Sequence, residues 1–294
     1  MAQNRKVLLA LGGGGARGLA HLGVLEVLER ERIPLQGIVG ISAGALVGAS
    51  YALAPDAGTL KSRSLSYFRS SAFRTDLFKK VLFHSDSPER NFLSALLRNL
   101  RKGYIFSSLL RKPGIFSSEM LLGVIADLVP DATFADLRVP FAALTLDLRS
   151  GDDVLIRDGP VRDAVLASCS LPAFFPPIVR DGRLLVDPGT LGPVPVDAAR
   201  TMAPDSVVVA VDITQRIEAI GRISLGIEAL LRAEMIAGVR MKEAQIARAD
   251  VVIRPELRPR AWSDFDNLDG IVDSGHAAAE AALKEIRQAL GRGD

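Results

Sequence analysis

The chain has 294 residues, enough for one large domain. Hydrophobic residues make up 48% and aromatic residues 5%, which describes a core of Leu, Val, Ile and Ala and excludes a disordered chain. A formal net charge of +2 gives no general case for nucleic acid, and the lone cysteine, Cys169, excludes a disulfide framework or a cysteine-built zinc site.

The first apolar run, KVLLAL (6–11), is short and stops at glycines. That pattern predicts a buried strand rather than a secretory leader. GLAHLGVLEVLERE (18–31) predicts a helix, with Leu19, Leu22, Leu25, Val27 and Leu28 at helical spacing and Pro34 beyond its end. GIVGI (37–41) predicts a second strand and ALVGASYALA (45–54) a second helix. This β-α-β-α opening implies a parallel α/β sheet.

Residues 60–116 differ in composition: twelve Lys and Arg stand against three acids, with Phe68, Phe73, Phe78, Phe83, Phe92, Tyr104, Phe106 and Phe116 interleaved. This stretch is expected to form a cap or an insertion facing an anionic membrane, since basic residues near such a surface add attraction. A solvated helical lid packed on the core is the alternative reading. Further strands are expected at 140–148, 153–156, 183–187, 206–213 and 249–255. Further helices are expected at 117–129, 159–169, 223–249 and 274–290. No repeat or linker divides the chain, so a single domain over 1–294 is expected, with 215–294 completing it. No stretch of 18 or more apolar residues occurs, so the expectation is a cytoplasmic protein with peripheral membrane contact left open.

The chemistry gathers at three places. Gly40, Ser42 and Gly44 form G-x-S-x-G between a strand and a helix, the pattern of a nucleophile elbow. A helix N-cap serine is the plainer reading of that motif alone. LGGGGARG (11–18) ends the first strand, and in a parallel sheet its loop lies at the same edge as Ser42. Its glycines offer backbone N–H groups to a developing oxyanion, and Arg17 adds positive charge. Gly13, Gly15 and Gly18 also satisfy G-x-G-x-x-G, but the second strand lacks the terminal acid a dinucleotide site needs. No nucleotide or other cofactor is therefore expected.

The third place is RLLVDPG (183–189), where Asp187 ends a strand. A part-buried carboxylate there can act as general base towards Ser42; an Asp-Pro-Gly turn is the plainer reading. The histidines offer little. His276 reads as a surface residue at a helix N-terminus, His21 as packing near the site, and His84 as surface.

Taken together these segments resemble the patatin-like phospholipase family in its bacterial branch. Gly13, Gly14, Gly15, Arg17 and Gly18 match the family's G-G-G-x-R-G block, and GISAG matches its nucleophile motif. ASCSLPAFFPP (167–177) resembles the stretch leading to the aspartate block, and LTLDLRSGDDVLI (144–156) another family segment. The resemblance spans roughly residues 6–200. It implies a three-layer α/β/α fold with a mostly parallel central sheet. It also implies a Ser42–Asp187 dyad without histidine, an oxyanion hole of Gly13, Gly14, Gly15 and Arg17, and hydrolysis of lipid esters with no metal. Gly18, Gly40, Gly44 and Gly189 would support the motifs. Asp187-Pro188-Gly189 departs from the family's usual Asp-Gly-Gly or Asp-Gly-Ala. Proline fixes φ and biases the preceding residue to an extended backbone, and a silent lipid-binding module is the alternative this leaves.

Overall fold

The structure is a computed structural model, and it describes residues 5–71, 73, 111–191, 194–214, 217, 221–223, 225–257, 265, 267 and 268–291. Much of the basic, phenylalanine-rich stretch (72, 74–110) lies outside the described residues. Eight strands build one sheet: β1 (Val7–Leu11), β2 (Leu35–Gly40), β3 (Phe141–Asp147), β4 (Asp153–Ile156), β5 (Ile178–Arg180), β6 (Arg183–Val186), β7 (Val207–Val211) and β8 (Val251–Ile253). Their order is β5-β6-β3-β2-β1-β7-β8, with β4 also paired to β3. The centre is parallel from β3 through β8, while β4 and β6 pair antiparallel with opposite edges of β3 and β5 pairs antiparallel with β6.

Eight α-helices are described: α1 (Ala20–Arg30), α2 (Ala43–Leu53), α3 (Ala57–Arg69), α4 (Ser118–Leu128), α5 (Val161–Cys169), α6 (Val196–Met202), α7 (Gly226–Ile246) and α8 (Leu268–Ala289). The period-2 geometry of the strands divides the core between two faces. Val7, Leu9 and Leu11 of β1 and Val207, Val209 and Val211 of β7 face one helical layer with α1, α2, α5 and α8. Leu8 and Ala10, with Val208 and Ala210, face the other with α6 and the end of α7. Central strands buried on both faces read as continuous apolar runs, which is why 6–11 and 206–211 carry no alternation. Each fully buried Leu or Val contributes about 1.5–3 kcal/mol by leaving water.

The topology positions the site. From β1 the chain steps to β2 on one side, and β7 returns on the other. The loops leaving β1 and β7 therefore diverge at the carboxyl edge, and such a switch point opens a crevice.

Element positions differ from the sequence reading at three places. The last helix begins at Leu268, not 274, so His276 lies inside α8 rather than at its start. The short strand β5 and the helices α3 and α6 carry too few apolar positions for the pattern to declare them. The strand ending at Asp187 runs antiparallel to β3, a polarity that local sequence does not encode.

In the described part of residues 60–116, aromatic rings pack inward. Phe73 is buried and meets Tyr67, Phe68 and Phe265 at centroid separations of 4.9–5.6 Å. Phe116 is buried with Phe174 and Phe175. No helix among the described residues is long and apolar enough to cross a membrane.

Helix α8 docks on α1 through glycine. A Cβ on Gly275 would strike the Ala20 carbonyl, and one on Gly23 the Val272 carbonyl. Gly275→Ala should destabilise the fold by about 1–3 kcal/mol through overpacking. Gly123→Ala in α4, where a Cβ meets nothing within 4 Å, should stabilise by about 0.5–1 kcal/mol. Urea midpoints with unchanged slopes would report both.

Candidate active site

The turn from β2 into α2 sets Ser42 at φ 54° and ψ −122°. A non-glycine residue there is strained by on the order of 1–3 kcal/mol and persists only where its surroundings hold it. Two close approaches make the turn possible: a Cβ on Gly40 would strike the Gly44 carbonyl, and one on Gly44 the Leu11 carbonyl. Ser42 thus heads α2 without its side chain capping the helix. The plain N-cap reading does not describe it.

Strand register brings Asp187 to the same level. Gly40 pairs with Ala143, so a residue two further on stands level with Thr145. Val186 pairs with Leu146, so the residue after it also stands level with Thr145. The carboxylate therefore arrives from the opposite direction along the same edge of β3, the edge opposite β4. The Ser42 hydroxyl is near enough to favour the charged form of that carboxyl.

Asp187 is almost fully buried at 2% exposure. Burial raises its pKa to about 6, against the opposing pull of the Ser42 hydroxyl and the Gly189 amide. That amide donates to Asp187 Oδ1 at 2.6 Å. Pro188 opens a 3-10 turn, Pro188–Leu191, and Gly189 carries no positive φ, so proline fits the backbone here.

The glycine loop lies across from the elbow. A Cβ on Gly13 would come within 3.2 Å of Ser42 Cβ, closer than ordinary van der Waals contact, so glycine keeps the space beside Ser42 open. Gly15 has φ 58°, and Gly18 begins the ordered entry into α1 by packing on Ala43. The amides of Gly13, Gly14 and Gly15 meet no acceptor among the described residues. Arg17 is turned back onto this loop, its Nε donating to the Gly14 carbonyl at 3.2 Å. Burial lowers its pKa to about 10, with Asp212 acting against that shift.

The sequence reading placed His21 as packing near the site and assigned no part to its other neighbours. His21 is fully buried and its Nε2 lies 2.9 Å from the Gly12 carbonyl. Burial lowers its pKa to about 4, so the ring is neutral at pH 7 and braces the base of the loop as a donor. His276 stands elsewhere. It contacts Arg30, at the end of α1 away from the loop, and Glu280. Beside the loop, Asp212 follows β7 and binds Lys242 at 3.1 Å, both nearly fully buried. Cys169 ends α5 beside Ser42 and Asp187: burial pushes its thiol pKa well up, Asp187 adds to that, and the Ser42 hydroxyl opposes it. Ser168 and Ser170 flank it, both fully buried.

A family model, "Patatin-like phospholipase", matches residues 9–200. The chain belongs to the patatin-like phospholipase family. The matched region carries the glycine loop, the elbow and Asp187 together. An uncharacterised NTE family protein of Mycobacterium tuberculosis is 32% identical over 191 residues, covering 65% of this chain and 44% of that protein. A patatin-like phospholipase domain-containing protein of Caenorhabditis elegans is 32% identical over 203 residues, covering 68% of this chain and 13% of that one. The chain thus spans under half the length of these curated relatives. Among solved structures, human GIVD cytosolic phospholipase A2 overlays with a TM-score of 0.48 at 13% identity, covering 99% of this chain and 61% of that chain.

Asp187's raised pKa has a definite sign for stability. The unfolded carboxyl, near its ordinary 3.8, ionises first as pH rises, while the folded one holds its proton to about 6. Stability from this group is therefore lost as pH rises across that interval, by on the order of 2–3 kcal/mol at neutral pH. Asp187→Asn should match the native protein's melting temperature near pH 4 and exceed it at pH 7, as read by paired thermal melts.

Proposed function

We propose that this member of the family is a serine acyl hydrolase that cleaves carboxylic esters of phospholipid or lysophospholipid through Ser42 and Asp187. The observation that carries the reading is a strained, half-buried serine set at the level of a buried carboxyl whose pKa is about 6 and which that serine's hydroxyl pulls towards its charged form. A carboxyl titrating there is ionised at neutral pH yet basic enough to take a proton in the transition state. Among the described residues neither histidine supplies this role, since His21 is engaged with Gly12 and His276 with Arg30 and Glu280; His84 lies outside the described residues.

Asp187 accepts the Ser42 proton as Oγ attacks the ester carbonyl carbon. The carbonyl oxygen becomes an oxyanion, which the amides of Gly13, Gly14 and Gly15 would receive. The N–H of Ala43 joins them, as the residue after the nucleophile does in elbow sites. Collapse breaks the ester C–O bond, and Asp187 returns the proton to the departing alcohol. A water then gives its proton to Asp187 and attacks the acyl-serine. The fatty acid leaves and Ser42 recovers its proton. Arg17 and His21 hold the loop in shape through the Gly14 and Gly12 carbonyls. Such preset donors are worth about 10²–10³ in rate each because they need no reorganisation.

Hydrolysis of a short-chain nitrophenyl ester, then of a phospholipid and lysophospholipid panel, tests this. Ser42→Ala and Asp187→Asn should each lower kcat by about 10³ or more. His276→Ala, a half-buried change away from the site, should stay within about twofold. Retained turnover in either dyad variant, or collapse in the histidine variant, overturns the assignment.

A further inference from the structure

Ser42's backbone conformation needs a holder, and one side chain supplies it. Ser168, in the last turn of α5, is fully buried. Its Oγ accepts the Ser42 backbone N–H at 3.0 Å and donates its own proton to the Leu144 carbonyl of β3 at 2.7 Å. One hydroxyl thus uses both its acceptor and its donor capacity to tie the nucleophile's peptide to β3, the strand with which both β2 and β6 pair. Two residues later the Ser170 carbonyl accepts the Asp187 amide at 3.0 Å. Ser42 and Asp187, 145 positions apart, are therefore both anchored on a three-residue segment, 168–170.

We propose that Ser168 is a positioning residue that fixes the Ser42 peptide at its left-handed angles and so aims Oγ at Asp187. This rests on the reading of Ser42 as nucleophile. The Ser42 amide is spent on Ser168 and is not an oxyanion donor; Ser168 acts through the nucleophile's backbone, not on substrate. Without the hydroxyl the Ser42 N–H loses its acceptor, and the strained peptide can relax towards ordinary helix-cap angles. A displacement of the attacking oxygen by about 1 Å costs about 10²-fold in rate without altering how substrate binds. Loss should therefore fall on kcat.

The test compares Ser168→Ala with Ser50→Ala. Ser50 is also buried, and its hydroxyl bonds the Leu46 and Leu128 carbonyls within the same scaffold but not the dyad. Both variants lose one buried hydroxyl and should melt at similarly lowered temperatures. Ser168→Ala should cut kcat on the nitrophenyl ester, and the rate at which a fluorophosphonate labels Ser42, by about 10–100-fold with KM nearly unchanged. Ser50→Ala should leave both rates close to native. Independently of turnover, exchange of the Ser42 amide hydrogen, followed by NMR, should quicken at least about tenfold in Ser168→Ala alone, as a freed N–H does. Equal kinetics in the two alanine variants, a loss confined to KM, or an unaltered Ser42 exchange rate overturns the positioning role while leaving the hydrolase reading intact. Failure of the native protein to label at Ser42 overturns both.

Discussion

The site depends on one local contradiction: a serine held at a positive φ, where L-residues rarely rest. A strain of this kind survives only when neighbouring structure over-determines it. Here the determination comes from three sides. Gly40 and Gly44 leave the turn free of side chains, Ser168 takes the Ser42 amide, and Gly13 keeps the glycine loop close without obstructing the hydroxyl. The parallel core supplies the platform, since β1 and β2 end side by side and their loops meet at the same edge.

Electrostatics follow from the same burial. A carboxyl taken out of water resists ionisation, and Asp187 is nearly dry with few donors to compensate. Asp147, also buried, shows the opposite case. It takes the Leu184 and Arg149 amides and the Ser150 hydroxyl, and those bonds hold its pKa below the usual range. Two acids at nearby strand ends are thereby separated in character. One is a stable charge that closes the β3–β4 turn, and the other can exchange a proton near neutrality. The buried His21 ring, kept neutral, braces the loop without adding charge to it.

Much of this was legible in the sequence because the signals were local. The runs 6–11 and 206–211 had to be central strands, and glycines bracketing a serine after an apolar strand announced the elbow. What was not legible was relational. The polarity of β6 against β3 is a pairing property, and it alone decides that Asp187 reaches the level of Ser42 from the opposite direction. The helix expected from 274 begins six residues earlier, so α8 contains Gly270 as well as Gly275, and at Gly275 the Ala20 carbonyl of α1 leaves no room for a Cβ. Ser168 lies in the A-S-C-S stretch that resembles a family segment, but that match assigns it no role until its partners, the Ser42 amide and the Leu144 carbonyl, are known. The Lys242–Asp212 pair was hidden likewise, its members 30 residues apart on α7 and beyond β7.

The central claim is that the Ser42 hydroxyl is activated by the Asp187 carboxylate and by no other base. The most direct measurement is the pH dependence of fluorophosphonate labelling at Ser42, with the modified residue identified by mass spectrometry. The account predicts a rate that rises with pH through a single ionisation at about 6 and is flat and slow in Asp187→Asn. A profile unaltered in the Asp187→Asn protein, or an adduct on a residue other than Ser42, would contradict it.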